Sequence, residues 1–334
     1  MVAMPGAFGE SICGTVKVGA WHLALACFAC ADVAMKLSDN MIGAALMVAS
    51  MAAYTVNDTL MKTLAGAVPL FQVIFLRGVL TTAAVAVIAW RMGAFSKRVS
   101  RRDSGAIALR VIGEVAGTYF FLTALYHMPL ANVTAILQSL PLAITLVAAL
   151  VLREPVGWKR ITAVLAGFIG ILMIVRPGAE GFNIYALYGL AAVGCITLRD
   201  LATRRLSRET SSMLVTFATS VTVMTVFGIA SATGEWATLT GADWLTIVCA
   251  AILIVGGYLT SIMVVRVGEI SFTAPFRYTA ILWALLLGWL VFGDWPAPIV
   301  LVGAGIVVAS GIFTLYREAR LGRQKRPAPV LRPR

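Results

Sequence analysis

The stretch MIGAALMVASMAAYTVNDTLMKTLAGAVPLFQVIFLR, residues 41–77, decides how this chain is read. It opens as an apolar helix long enough to cross a bilayer, then interrupts itself with Asn57, Asp58 and Lys62. After a tight turn over residues 66–69 a second apolar run begins, and it carries Arg77. A charge inside a membrane segment costs roughly 2.5–3.5 kcal/mol on insertion scales, so charges kept there are paired or functional.

The rest of the chain repeats this pattern. Of its 334 residues 60% are hydrophobic and 13% charged, with a mean hydropathy of +0.90. A soluble domain has about 45–50% and about 25%. At ~20 residues per span the length fits ten helices, placed at 43–64, 69–90, 106–126, 131–152, 158–175, 184–204, 212–232, 243–265, 271–292 and 297–316. The apolar runs are continuous rather than alternating, which excludes a transmembrane barrel. The expected fold is an all-α integral membrane protein.

Loop charge sets the orientation. Arg91, Lys97, Arg98, Arg101 and Arg102 follow the second span, and Arg153, Lys159 and Arg160 follow the fourth. Arg204, Arg205 and Arg208 follow the sixth, Arg266 the eighth, and a basic tail the tenth. The opposite loops are nearly bare of basic residues, Arg176 excepted. Basic loops stay in the cytoplasm, so both termini are expected there, in a multi-pass protein of the inner membrane. The net charge of +12 is therefore a topology signal and not a nucleic-acid footprint. Residues 1–42 form an arm, cytoplasmic and expected to be disordered or an over-extended start. Residues 317–334 form the basic tail. Cys195 and Cys249 fall in apolar spans, and Cys27 and Cys30 have no second ligand pair, so free thiols are expected rather than a disulfide or metal site.

The chain also repeats itself. Asn57-Asp58 and Lys62 in the first span return as Arg199-Asp200 and Arg204 in the sixth, 142 residues later. Glu154, before the fifth span, returns as Asp294 before the tenth, 140 residues later; both are read as offsets to helix dipoles. A five-span unit is odd-numbered, so its copies, residues 43–176 and 183–316, must have opposite topology. Inverted repeats around a midplane site are a transporter architecture. With Gly167, Gly170, Gly303, Gly305 and Gly311 in the fifth and tenth spans, this pattern resembles the drug/metabolite transporter superfamily, in its EamA-type ten-span members. The Asn57-Asp58, Lys62, Phe71-Gln72-Val73 and Phe75-Leu76-Arg77-Gly78 stretch is similar to a subgroup with uptake carriers for riboflavin and S-adenosylmethionine. The resemblance implies a secondary carrier of a small organic metabolite. Riboflavin uptake is the leading expectation, with S-adenosylmethionine uptake or export of amino acids and other metabolites as alternatives.

Helical rise places the buried charges by depth. Asp58 comes about 22 Å along the first span, and Arg77 about 12 Å from the far start of the second, so the hairpin can pair them. Lys62, one turn on, can snorkel outward. Glu114 and Arg277 match in depth on the inner side, which predicts a second pair joining the two repeats. Glu114 is the expected carrier of a coupling proton, and the arginines are suited to clamp a polar substrate group. Tyr54, Thr118, Tyr119, Gln138, Ser139, Tyr278, Thr279 and Trp283 supply midspan polar and aromatic groups for a flat solute. Each of these aromatics also reads as ordinary packing or a lipid contact. Pro141 and Pro275 predict breaks in spans four and nine.

No G-x-x-x-x-G-K-[ST], H-E-x-x-H or G-x-S-x-G motif occurs, and the two histidines are His22 and His127. That leaves no sequence basis for a pump, a zinc protease or a serine hydrolase, and no cofactor is expected. The competing classes are a channel, which would pass solute without saturation, and a membrane enzyme built on unpartnered carboxylates. The partners expected are the bilayer, a small solute and a coupling proton, with the protein a monomer or homodimer.

Overall fold

The computed structural model describes residues 39–96, 101–150, 157–176, 183–207 and 210–324. Residues 1–38 of the N-terminal arm, Glu154 and the end of the tail lie outside them, and residues 39–42 open the first helix. The described residues form helices α1 (Asp39–Thr63), α2 (Leu70–Arg91), α3 (Arg101–His127), α4 (Leu130–Leu137), α5 (Leu140–Leu150), α6 (Trp158–Val175), α7 (Tyr185–Arg204), α8 (Ser212–Ala232), α9 (Gly241–Val267), α10 (Ile270–Thr273), α11 (Thr279–Phe292) and α12 (Pro298–Gln324). A 3₁₀ turn, Ala274–Tyr278, joins α10 to α11.

These twelve helices make ten spans. The fourth is broken at Gln138–Ser139 into α4 and α5, and the ninth consists of α10, the 3₁₀ turn and α11. Pro141 and Pro275 accompany both breaks, because a proline in a helix interior removes a donor and clashes one turn back. Among the described residues nine segments are long and apolar enough to cross a membrane by composition alone. The tenth is α1, 25 residues long, whose apolar run Asn57, Asp58 and Lys62 interrupt.

Local chemistry sets the ends. Pro69 and Pro129 precede α2 and α4, where the missing N–H costs nothing. At α9 a capping box satisfies the first turn, with Thr240 and Asp243 bonding each other's backbone N–H. Gly293 closes α11 at φ 68°, a left-handed conformation that costs glycine little.

Short turns make successive spans antiparallel, so the bundle has two ends. Cross-links sort the loops accordingly. On one side Asn40 Oδ1 accepts from Glu269 N, and Asp103 from Ser207. On the other, Gln72 exchanges two hydrogen bonds with the Ala237 backbone, and Asn183 Nδ2 donates to His127 O. The first end carries Arg91, Arg204, Arg205 and Arg266 and is called the basic side below; the second is the far side.

The helix pairings expose the repeat. The most extensive are α3 with α7, α1 with α9, α6 with α12, and α2 with α8. In span numbers these are 3–6, 8–1, 5–10 and 2–7. Exchanging the repeats turns the first pair into the second and returns the other two to themselves. Contacts obey the same symmetry: Gly117 on α3 packs on Ile196 of α7, and Gly257 on α9 packs on Tyr54 of α1. The fifth and tenth spans cross closely, where a Cβ on Gly170 would stand 2.7 Å from the Gly303 carbonyl oxygen.

Candidate functional site

Asp58 and Arg77 are brought together, but through an intermediary. Arg77 Nη1 donates to Asn57 Oδ1 at 3.2 Å, and Asn57 Nδ2 donates to Asp58 Oδ1 at 2.9 Å. Asn57 is 2% and Arg77 9% exposed, so the bridging amide satisfies both ends of a buried charge pair. Tyr126 on α3 stands within electrostatic reach of Arg77, and its hydroxyl is enclosed without a hydrogen bond.

The expected Glu114–Arg277 pair does not form; Glu114 takes Arg199. Arg199 Nη1 lies 3.3 Å from both Glu114 oxygens, while Arg199 Nε donates to Asp200 Oδ1 at 2.9 Å. Matching depth misled because it says nothing about azimuth. The third span's main neighbour is the sixth, and Gly113 lets the backbones close until a Cβ there would meet the Cys195 carbonyl at 2.8 Å. At that separation Glu114 reaches α7 and not the ninth span.

The two clusters are copies. Asn57-Asp58 and Arg199-Asp200 are the repeat-related dipeptides. In each, the first side chain bonds the neighbouring carboxylate at 2.9 Å and holds a charge from an adjacent helix. Each lies about 6–9 Å inside its own helix end at 1.5 Å per residue, one toward the far side and one toward the basic side. The charge held differs in sign, Arg77 in one copy and Glu114 in the other. Sequence reading had the 142-residue offset and still missed Arg199, because it matched only the acids and the bases one turn on.

The other predicted residues divide. Lys62 donates to the carbonyls of Leu125 at 3.0 Å and Met128 at 2.5 Å, sits 5.4 Å over the Phe292 ring, and feels the charge of Asp294. It caps the end of α3 rather than joining Asp58, as a cation at a helix C-terminus does. Gln138, at the break of span four, donates to the Arg277 carbonyl at 3.2 Å, so the break in span four caps a carbonyl at the break in span nine. Arg277 Nε is enclosed without a hydrogen bond. Tyr278 is buried, its hydroxyl against Gly311. With Pro275, Phe276 and Leu282 it lines an apolar groove of about 610 Å³ between α11 and α12, to which no charged side chain contributes. Trp283 is half-buried on α11.

Tyr119 belongs to an aromatic row in the far half of the bundle. Its ring centroid lies 6.1 Å from Phe71, 5.4 Å from Phe120 and 6.4 Å from Tyr188. Tyr188 continues to Tyr185 at 5.6 Å, and Tyr185 stacks on His127 at 3.9 Å with a 14° interplanar angle. Tyr185 and Tyr188 escaped the sequence reading, lying in the first turns of span six with no charge beside them. The row and the Glu114–Arg199 cluster share α3, and Tyr126 of the same helix lies within electrostatic reach of Arg77.

Comparison with known proteins bears on what this arrangement does. The model of the EamA-like transporter family matches residues 41–176 and again 183–316. The riboflavin transporter of Vibrio cholerae is 32% identical over 221 residues, 65% of this chain and 74% of that one. The S-adenosylmethionine uptake transporter of Rickettsia bellii is 24% identical over 291 residues, 85% and 97% of the two chains. The pseudopaline exporter CntI of Pseudomonas aeruginosa is 24% identical over 290 residues, 81% and 94%. A solved crystal structure at 19% identity superposes with a TM-score of 0.59 over 86% of this chain and 100% of that one, which shows a shared fold.

Proposed function

The chain belongs to the EamA-like transporter family, and from that premise we propose that it carries a planar, cofactor-like metabolite, riboflavin first, into the cell by alternating access. The observation that supports this solute is the aromatic row of Phe71, Tyr119, Phe120, Tyr188 and Tyr185, in the same half of the bundle as the buried Arg77–Asn57–Asp58 relay. Offset and tilted rings bind a flat heteroaromatic by stacking, and a guanidinium beside an amide matches a donor–acceptor edge. S-adenosylmethionine uptake is the second reading, favoured by the length over which its carriers match. The named relatives are transporters, so the reading is of a carrier and not of an enzyme.

The basic side is the cytoplasmic side of the inner membrane in this reading, by the positive-inside rule. We place the coupling proton on Glu114, whose side chain is 25% exposed. Glu114→Gln then flattens the pH dependence of uptake and leaves solute affinity largely intact. Arg77, Tyr119, Gln138, Arg277, Tyr278 and Trp283 stay within the proposed solute path, with the first two nearest the ring system. The two halves are the working units, residues 43–176 and 183–316.

Counterflow of labelled riboflavin in proteoliposomes tests the proposal, with labelled S-adenosylmethionine and amino acids in parallel. Saturable riboflavin counterflow is expected. Flux without saturation or counterflow would mark a channel, and counterflow of S-adenosylmethionine alone would move the assignment to that solute.

A further inference from the structure

One seam of the bundle differs from its symmetry mate. Along the basic half of α3, Asp103, Arg110 and Glu114 meet α7 and the turn after it. Glu114 takes Arg199; Arg110 Nη1 donates to Thr203 Oγ1 at 2.7 Å; Asp103 accepts from Ser207 Oγ at 2.6 Å and from Thr210 Oγ1. Positions 103, 110 and 114 follow one face of α3, and 199 and 203 one face of α7, with Ser207 in the turn beyond it. The repeat-equivalent seam is the far half of α9 against α1. There Arg110 and Glu114 become Ala250 and Ile254, 140 residues on, Thr203 becomes Met61, and Arg199 becomes Asn57, which bonds Arg77 of α2 instead of a side chain on α9. Met61, Ile247 and Ala250 are fully buried in one apolar cluster. Asp243, the counterpart of Asp103, is taken up by its own helix cap.

We propose that the α3–α7 seam is the gate through which the carrier opens to the cytoplasm, sealed by this polar zipper and lined by it when open. The inference rests on the carrier reading above for its direction. Polar partners that separate into water exchange one hydrogen bond for another, at small net cost. Parting Met61 from Ile247 and Ala250 would expose apolar surface, whose cost grows with area. The same pair of helix seams therefore parts at lower cost at the basic end than at the far end. The zipper also joins the two repeats, and it is the repeats that must move against each other.

The native thiol of Cys195 lies in this seam, at the middle of α7. A Cβ on Gly117 would stand 3.6 Å from its Cβ, within disulfide range. Membrane vesicles of both orientations, carrying the full chain with Cys13, Cys27, Cys30 and Cys249 replaced by Ser, provide the test. A membrane-impermeant maleimide should label Cys195 from the cytoplasmic face, and several-fold faster after Glu114→Gln. In the Gly117→Cys variant, mild oxidation should abolish that labelling and stop uptake of labelled riboflavin, and reductant should restore both. Labelling from the outer face only, from neither face, or at a rate unchanged by Glu114→Gln overturns the gate. Absence of riboflavin uptake in the reduced protein overturns the solute assignment instead, since thiol access is read without any solute.

Discussion

Asn57 decides more at the residue scale than either charge it touches. It joins Arg77 to Asp58, so Asn57→Leu leaves a guanidinium and a carboxylate each short of a partner. A buried group left unsatisfied costs about 1–3 kcal/mol, more when charged. Asn57→Leu should therefore lower the melting temperature in detergent more than Asn57→Asp, which still accepts from Arg77. Equal melting temperatures would refute the relay. In the other cluster the asymmetry is different. Removing Glu114 leaves Arg199 with Asp200, whereas Arg199→Gln deprives both carboxylates of the cation they share. With the pair about a quarter exposed, the loss should fall between the ~0–1 kcal/mol of a surface pair and the ~3–5 kcal/mol of a broken buried one. Arg199→Gln is expected to be the worse variant in thermal melts. Lys62→Met should reduce stability through the end of α3 while leaving solute affinity unchanged, measured by counterflow competition.

At the scale of elements, the close crossing of α6 and α12 brings backbone against backbone. Any Cβ on Gly303 would stand 2.6 Å from the Gly170 carbonyl oxygen, and a backbone atom cannot step aside as a side chain can. Gly305, two residues on, faces open space. Gly303→Ala should therefore cost folded yield on size exclusion while Gly305→Ala does not. Comparable yields for the two would mean that the crossing tolerates repacking. The glycines of spans five and ten were visible in the sequence as a composition; which of them carries the contact was not. The helix breaks show the same division. Pro141 and Pro275 announced them, but the capping of the Arg277 carbonyl by Gln138 depends on how two distant spans are set side by side.

At the scale of the whole molecule, ten antiparallel spans with basic residues at one end make a topology that can be measured directly. Reporter fusions after Leu130, Pro177 and Gly241 should read as external, and fusions after Arg102, Arg160 and Arg208 as cytoplasmic. Reversal at two or more of these sites would invert the assignment of the gate along with the orientation. The sequence by itself determined that this chain lies in a membrane, how many times it crosses, and that its two halves are inverted copies. Those properties are carried by hydropathy, length and spacing, which are one-dimensional. Its charges and their depths were equally legible, since helical rise converts residue number into distance along a span. Only the tertiary structure decided who faces whom. Azimuth around a helix axis, and the approach of α3 to α7 that Gly113 permits, gave Arg199 and not Arg277 to Glu114. The same packing turned Lys62 away to cap α3 and placed a polar seam at one end of a symmetric scaffold opposite an apolar one. Partner choice is a property of packed surfaces, and it is there that the two repeats, alike in order and spacing, become different.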